Sequence, residues 1–303
     1  MRVLIVGPGA IGLALYYALS RHFDTWLGVL ERHRDALKGG VELVLPSGRV
    51  AVLKPRAVVI EPEAPRLHLF DVVIVAVKMH SLETALQQVA PCIGIDTAVA
   101  TVQNGWDPHG LAIKFFGYRA VHVLLTTASR RECGRKVVVS SWGSAFVGSR
   151  YGVTKFVQRV AEVLSTSGIG VRIVRDIDGW TWLKLAVNAA VNPLTALLRI
   201  ENGEVLHPNL YSAAHRVVEE VSRVAERCLG IELPANPHEM LDSVVKETSR
   251  NRSSMLQDIE AGRKTEVDYI NGAIHRIAEV CGVDDSANYV LLSVVKYLES
   301  RKG

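Results

Sequence analysis

Through its first half the chain alternates short unbroken apolar runs with helical periodicity. RVLIV at 2–6 stops at Gly7, the pattern of a strand buried on both faces of a parallel sheet. A helical pattern follows at 11–21, a second strand at 25–30, and FDVVIVAV marks another buried strand at 70–77. A helix at 81–89 and strands at 97–102 and 120–125 continue the series. The stretches 136–140 and 144–147, separated by Ser141 to Gly143, suggest an antiparallel hairpin at the sheet edge. A helix at 153–165 and a strand at 170–174 complete it. Strands alternating with helices predict a doubly wound α/β sheet of the Rossmann type.

The texture changes near Asp176. Strand patterns nearly vanish, and helical periodicities cover 210–229, 237–249, 267–281 and 286–301. The chain therefore divides into an N-terminal Rossmann domain, 1–176, and an all-helical C-terminal domain, 177–303. Its 303 residues suit two cores.

The first strand–helix junction reads Gly7-Pro8-Gly9-Ala10-Ile11-Gly12. Gly7 allows the tight turn, Gly9 lets a pyrophosphate approach the backbone, and Gly12 allows close helix–strand packing. Free N–H groups at the helix start attract phosphate. At the tip of the second strand, Glu31 stands where an acid commonly binds ribose hydroxyls, yet Arg32 and Arg34 can clamp a 2′-phosphate. These charges also suit a plain solvated loop. Lys78 and Asn104 end two further strands, at the edge where open sheets bind ligands.

WTWLKLAVNAAVNPLTALL is apolar except for Lys184, Asn188 and Asn192, which fall at i, i+4 and i+8 on one helix face. A helix apolar nearly all round is buried, and a buried ammonium needs an acidic partner or a ligand. Pro193 predicts a kink or an end to this helix just after the polar stripe. Farther on, SSMLQDIEAGRKTEVDYING (253–272) reads as helix to about Ala261, breaks near Gly262 and resumes toward Tyr269. It is dense in groups that bind and move protons, Ser254 and Glu266 among them.

KLAVNAAVNPLTAL, TEVDYING and the glycine loop together resemble the ketopantoate reductase family along the whole chain. The resemblance implies a nicotinamide cofactor held by Gly7, Pro8, Gly9, Ala10, Ile11, Gly12, Arg32, Lys78, Asn104 and Glu266, in a cleft between the domains. NADPH is implied, with NADH possible because Glu31 departs from the family's basic residue at that strand tip. Lys184 is implied as proton donor and Glu266 as its catalytic companion. Asn104, Asn188, Asn192, Asn202 and Ser254 are implied as substrate contacts. The implied reaction reduces 2-dehydropantoate to (R)-pantoate, a step toward coenzyme A, in a cytoplasmic homodimer. A reductase of another small 2-keto or 3-hydroxy acid and a nicotinamide-binding sensor without turnover remain alternatives; Lys184 and Glu266 speak against the sensor.

Composition narrows this little further. A net charge of +4 suits a small anionic ligand, and no basic run is dense enough to indicate nucleic acid. The apolar runs are too short for a membrane span. Cys92, Cys133, Cys228 and Cys281 are far apart and form no metal-ligand spacing, so no metal is expected. Buried thiols of a reducing cytoplasm fit them, with pairing left open. Only five glutamines occur, which leans toward a thermophile.

Overall fold

The computed structural model describes residues 1–60, 70–132 and 135–301; Cys133 lies outside them. The chain forms two compact units. One holds residues 1–103 and 107–177, the other 104–106 and 178–303.

The strands of the first unit are β1 (Arg2–Val6), β2 (Asp24–Val29), β3 (Val41–Val44), β4 (Val50–Leu53), β5 (Ala57–Val59), β6 (Val72–Val75), β7 (Ala98–Thr101), β8 (Ala120–Leu125), β9 (Ala128–Arg131), β10 (Lys136–Ser141), β11 (Ser144–Gly148) and β12 (Gly170–Ile173). The larger sheet has the order β12-β11-β8-β7-β6-β1-β2-β5. It is parallel except where β11 runs against β8. Leu27, Ile5, Ile74, Ala100 and Val121 lie in register across five strands, and all are buried. Burial on both faces is why these strands read as continuous apolar runs. β1 has β2 on one side and β6 on the other, so the strand order reverses there, at the place where such sheets bind ligands.

The helices of this unit are α1 (Ala10–Leu19), α2 (Glu31–Leu37), α3 (Leu82–Val89), α4 (Pro108–Phe116) and α5 (Lys155–Thr166). Asp107 caps α4 by accepting from the Gly110 N–H at 2.9 Å, and Thr154 caps α5 through Val157 at 3.3 Å.

The expected hairpin of 136–140 with 144–147 is not formed. β10 belongs to a second sheet, order β4-β3-β10-β9, while β11 joins the large sheet. Gly143, at φ +57°, turns the chain between the sheets, and the Thr127 hydroxyl donates to the Trp142 carbonyl at 2.7 Å. β8 and β9 make the outward crossing and β10 and β11 the return, so each strand finds its partner across a crossing instead of across the turn. The alternation read from sequence was right for both strands; the pairing was decided by longer-range contacts.

The second unit comprises α6 (Ile177–Leu198, its first residue grouped with the first unit), α7 (Pro208–Leu229), α8 (Pro237–Glu247), α9 (Ser254–Glu260), α10 (Asn271–Cys281) and α11 (Ser286–Ser300). Asn236 caps α8, Ser253 caps α9, and Gly230 and Gly282 end α7 and α10 in the left-handed conformation. Of the two outcomes expected at Pro193, a kink or an end, the end is not found: α6 runs on to Leu198. No helix of the described residues is long and apolar enough to cross a membrane.

Cys228 and Cys281 are joined in a disulfide with Cα atoms 5.8 Å apart. They occupy the last turns of α7 and α10, two helices that pack together, which sequence spacing could not show. Cys92 is a buried thiol, as expected. The bridge spans 53 positions, a closure that constrains the unfolded chain by about 4 kcal/mol on the chain-entropy account. Replacing both cysteines with serine should therefore lower Tm by roughly 10 °C, and reductant should lower the wild-type Tm but not the variant's. Equal melting of both proteins in oxidant and in reductant would show that the bridge contributes nothing.

Candidate cofactor loop and candidate active site

The glycine loop joins β1 to α1 at the strand-order reversal. Gly7 has φ +109°, and its N–H donates to the Gly28 carbonyl at 3.0 Å. A Cβ on Gly12 would collide with the Gly7 carbonyl oxygen, so Gly12 serves the close return of α1 onto the loop. Gly9 differs. A Cβ there meets no protein atom closer than the Ala76 carbonyl oxygen at 3.9 Å, so the fold itself leaves room. Pro8, Ala10 and Ile11 are partly exposed beside it. The loop thus fits a pyrophosphate: backbone N–H groups at a helix start, with the approach kept open by a glycine the fold does not require.

At the end of β2, Glu31 and Arg32 open α2, and Glu31 pairs with Arg34 at 3.6 Å. Arg131 of β9 donates from Nη1 to the Pro8 carbonyl at 3.2 Å. His33 is held below the ordinary histidine value, first by burial and then by the fields of Arg32 and Arg131. Arg131 therefore belongs with this basic group at the glycine loop. Sequence reasoning missed it because the small sheet that carries it was not foreseen. Lys78 lies just beyond β6, opening the 3₁₀ turn Met79–Ser81. Gln103, buried after β7, donates to the Val75 and Val77 carbonyls at 2.7 and 2.9 Å and locks the ends of the two strands together.

The second candidate cluster lies within the helical unit. α6 carries the half-buried Lys184 and Asn188 and the buried Asn192 among Trp182, Leu185, Ala186, Val187, Ala189 and Ala190, all six of them buried. Burial pushes the Lys184 ammonium down to about 8, and the Glu266 carboxylate pulls the other way. Glu266 precedes the 3₁₀ turn Val267–Tyr269 and accepts from Asn104 Nδ2 at 3.5 Å. Residues 104–106 belong to this unit although the chain on either side belongs to the other. They are fixed by the Trp106 N–H donating to the Tyr269 carbonyl at 2.9 Å and by a tilted Trp106–Trp182 contact at 5.4 Å. Gly105, at φ +92°, lies so close to the Tyr269 backbone that no side chain fits. The Asn-Gly pair, an ordinary turn in sequence, is here a strap that sets Asn104 beside Glu266.

Ser253 and Ser254 part company. The Ser253 hydroxyl is buried, accepting from Thr195 Oγ1 at 2.7 Å and from the Leu256 N–H at 3.1 Å. Ser254 is exposed. Asn192 is buried on α6, whereas Asn202 opens a separate 3₁₀ turn and donates to Thr248 Oγ1 at 3.1 Å. The structure thus brings Lys184, Glu266 and Asn104 together, sets Asn188 and Asn192 along the same helix as the lysine, and gives Asn202 a structural partner of its own.

A Rossmann sheet with an open glycine loop, and a helical unit with a depressed lysine facing a carboxylate, define a dinucleotide-type oxidoreductase. Sequence profiles described as ketopantoate reductase PanE/ApbA and as its C-terminal part match residues 3–151 and 176–299. The chain belongs to the ketopantoate reductase family. It is 35% identical to a 2-dehydropantoate 2-reductase of Archaeoglobus fulgidus over 99% of this chain and 98% of that one. Identity to the Pyrococcus horikoshii protein of the same name is 31%, over 100% and 99%. Among solved structures, a ternary complex of D-mandelate dehydrogenase with NADH and anilino(oxo)acetate matches with TM-score 0.89 and 25% identity, covering 99% of this chain and 98% of that one.

The two glycines separate fold from ligand. Gly9→Ala should leave Tm unchanged and weaken binding of NADPH and NADH in a fluorescence titration by about tenfold or more, since lost charge-assisted hydrogen bonds are worth about 1.5–3 kcal/mol. Gly12→Ala should lower Tm itself. A Gly9→Ala protein that binds both dinucleotides as the wild type does would remove the loop from the cofactor site.

Proposed function

We propose that this chain reduces 2-dehydropantoate to (R)-pantoate, with a nicotinamide dinucleotide as reductant. The observation that carries the reading is Lys184: an ammonium on an apolar helix, made more acidic by burial and faced by Glu266. The bound cofactor supplies a hydride to C2 of the keto acid. As the carbonyl bond opens, negative charge gathers on its oxygen, and Lys184 Nζ polarises that oxygen and donates the proton that completes the alcohol. An amine with a value near 8 is protonated at neutral pH yet gives up its proton more readily than an ordinary lysine. Glu266 stabilises the ammonium and accepts a hydrogen bond from the substrate hydroxyl. Asn104, Asn188, Asn192 and the exposed Ser254 orient the substrate. Asn202 enters the substrate set on the family resemblance alone, since its amide nitrogen donates to Thr248.

For the cofactor we favour NADPH. Arg32 and Arg131, whose fields converge on His33, offer a 2′-phosphate two guanidinium groups, while Glu31 is engaged by Arg34. A homodimer is the assembly we expect. The support is a relative, since a 20% identical structure matching with TM-score 0.80 is described as a dimeric ketopantoate reductase of Staphylococcus aureus. A cytoplasmic location completes the reading. A second reading, reduction of an aryl 2-keto acid, is favoured by the likeness to D-mandelate dehydrogenase. The hydroxyl of 2-dehydropantoate separates the two, because a simple keto acid has no hydroxyl to donate to Glu266.

Initial-rate kinetics with 2-dehydropantoate, 2-ketoisovalerate and phenylglyoxylate test the reading. Lys184→Ala should lower kcat by about 10²–10⁴-fold with cofactor binding retained. Wild-type kcat/KM should decline as pH rises through about 8, because the donor form is lost on that side. A folded Lys184→Ala protein with near-normal kcat, or phenylglyoxylate as the better substrate, would overturn the assignment. Arg32→Ala and Arg131→Ala should each raise KM for NADPH by about tenfold and leave KM for NADH little changed, the loss expected for one charged hydrogen bond. Equal effects on both cofactors would mean that neither arginine reads the phosphate.

A further inference from the structure

Pro193 sits inside α6, between the polar stripe and the end of the helix. Proline has no N–H, so the carbonyl four residues earlier, Ala189, loses its usual helical donor, and the proline ring crowds that same oxygen. Yet the helix continues without interruption to Leu198. The Ala189 carbonyl accepts instead from Asn271 Nδ2 at 3.0 Å. Asn271 is fully buried and is the first residue of α10. A side chain from another helix takes the place of the missing rung.

The direction of that amide is set from a distance. Glu220, fully buried on α7, can only accept as a carboxylate. It accepts from the Asn288 backbone N–H and from Asn288 Nδ2, each at 3.0 Å. Asn288 Oδ1 is thereby turned toward Asn271 and accepts from its Nδ2 at 3.1 Å. Both hydrogens of Asn271 Nδ2 are thus directed, one to Asn288 and one to α6. Four helices, α7, α11, α10 and α6, are joined by one ordered line of donors and acceptors.

The missing rung lies in the turn that separates Asn188 from Asn192. The spacing between these asparagines, and of Asn192 from Lys184, depends on that turn keeping helical geometry. We propose that Asn271 is a positioning residue: by donating to the Ala189 carbonyl left open by Pro193, it holds the Lys184–Asn188–Asn192 stripe in register for the keto acid. This rests on the reading of the stripe as the substrate site. Asn271 touches neither substrate nor cofactor in this role; it acts through α6.

A double-mutant cycle tests it. Asn271→Ala should lower kcat/KM for 2-dehydropantoate by about 10- to 100-fold, the scale of a misplacement near 1 Å. The Kd for NADPH should change less than about twofold, because the glycine loop is untouched. Pro193→Ala restores an N–H to the Ala189 carbonyl. In that background Asn271→Ala should cost less than about threefold, and the thermal shifts of the two changes should be non-additive in the same sense. A loss that is the same in both backgrounds overturns the proposal, as does unchanged kcat/KM in folded Asn271→Ala. Should Asn271→Ala alone not fold, the double variant must fold, and a double variant as unfolded as the single one overturns the proposal equally. Asn192→Ala separates the two layers. If it leaves keto-acid kinetics intact, the stripe is not the site and the proposal falls with it. If it is costly while Asn271→Ala is not, the site reading stands and only the positioning role fails.

Discussion

Keeping an ammonium inside an apolar helix bundle is the constraint around which the helical unit is organised. Lys184 has Trp182, Leu183, Leu185 and Ala186 as helix neighbours, all nearly inaccessible to water. An unpaired charge there would lose its proton or unfold the helix. The remedy is the Glu266 carboxylate, and holding Glu266 takes a second set of contacts: the Thr265 N–H donating to Glu299, the 3₁₀ turn behind it, and the strap of residues 104–106 on Tyr269. That strap is donated by the chain in mid-course through the other unit. Three residues separated from Glu266 by most of the sequence are thus committed to the surroundings of one carboxylate.

Polar side chains rather than extra apolar contacts fix the details of this bundle. Thr195 ties α6 to the cap of α9 through Ser253, Glu220 gathers the start of α11, and Asn271 joins α10 to α6. Buried polar groups cost free energy when unsatisfied, so each such link is stricter about geometry than a leucine contact would be. The Cys228–Cys281 bridge closes a ring of chain that contains both Ser254 and Glu266, adding a covalent limit to the same region.

The large sheet, the glycine loop and the lysine helix were legible because their signals are local. β1, β6 and β8 are apolar runs, Gly7 to Gly12 keep the spacing of a strand–helix turn, and Lys184, Asn188 and Asn192 share a helix face. What escaped was set by distant partners. β10 and β11 read correctly as strands but pair in different sheets. β3, β4 and β9 have four residues each; β9 (ASRR) has no apolar run, and VAVL of β4 is too short and too exposed to read as a buried strand. Arg131 and the disulfide followed from those contacts and could not be seen without them. Pro193 did announce a defect in α6, but nothing in its surroundings names Asn271 as the repair.

The small sheet also has a history written into its order. β3 lies parallel to β10 with Glu42 opposite Lys136, and between those two strands the chain lays down β5, β6, β7 and β8 of the other sheet. Closing so long a loop costs entropy, so β3 and β10 pair at a higher conformational cost than strands adjacent in the chain do. Until β10 is in place, β3 and β4 are a two-stranded ribbon with open edges, marginal by itself and exposed to wrong partners. The basic corner that Arg131 completes therefore depends on strands brought together from far apart in the sequence, whereas the glycine loop joins two elements adjacent in the chain.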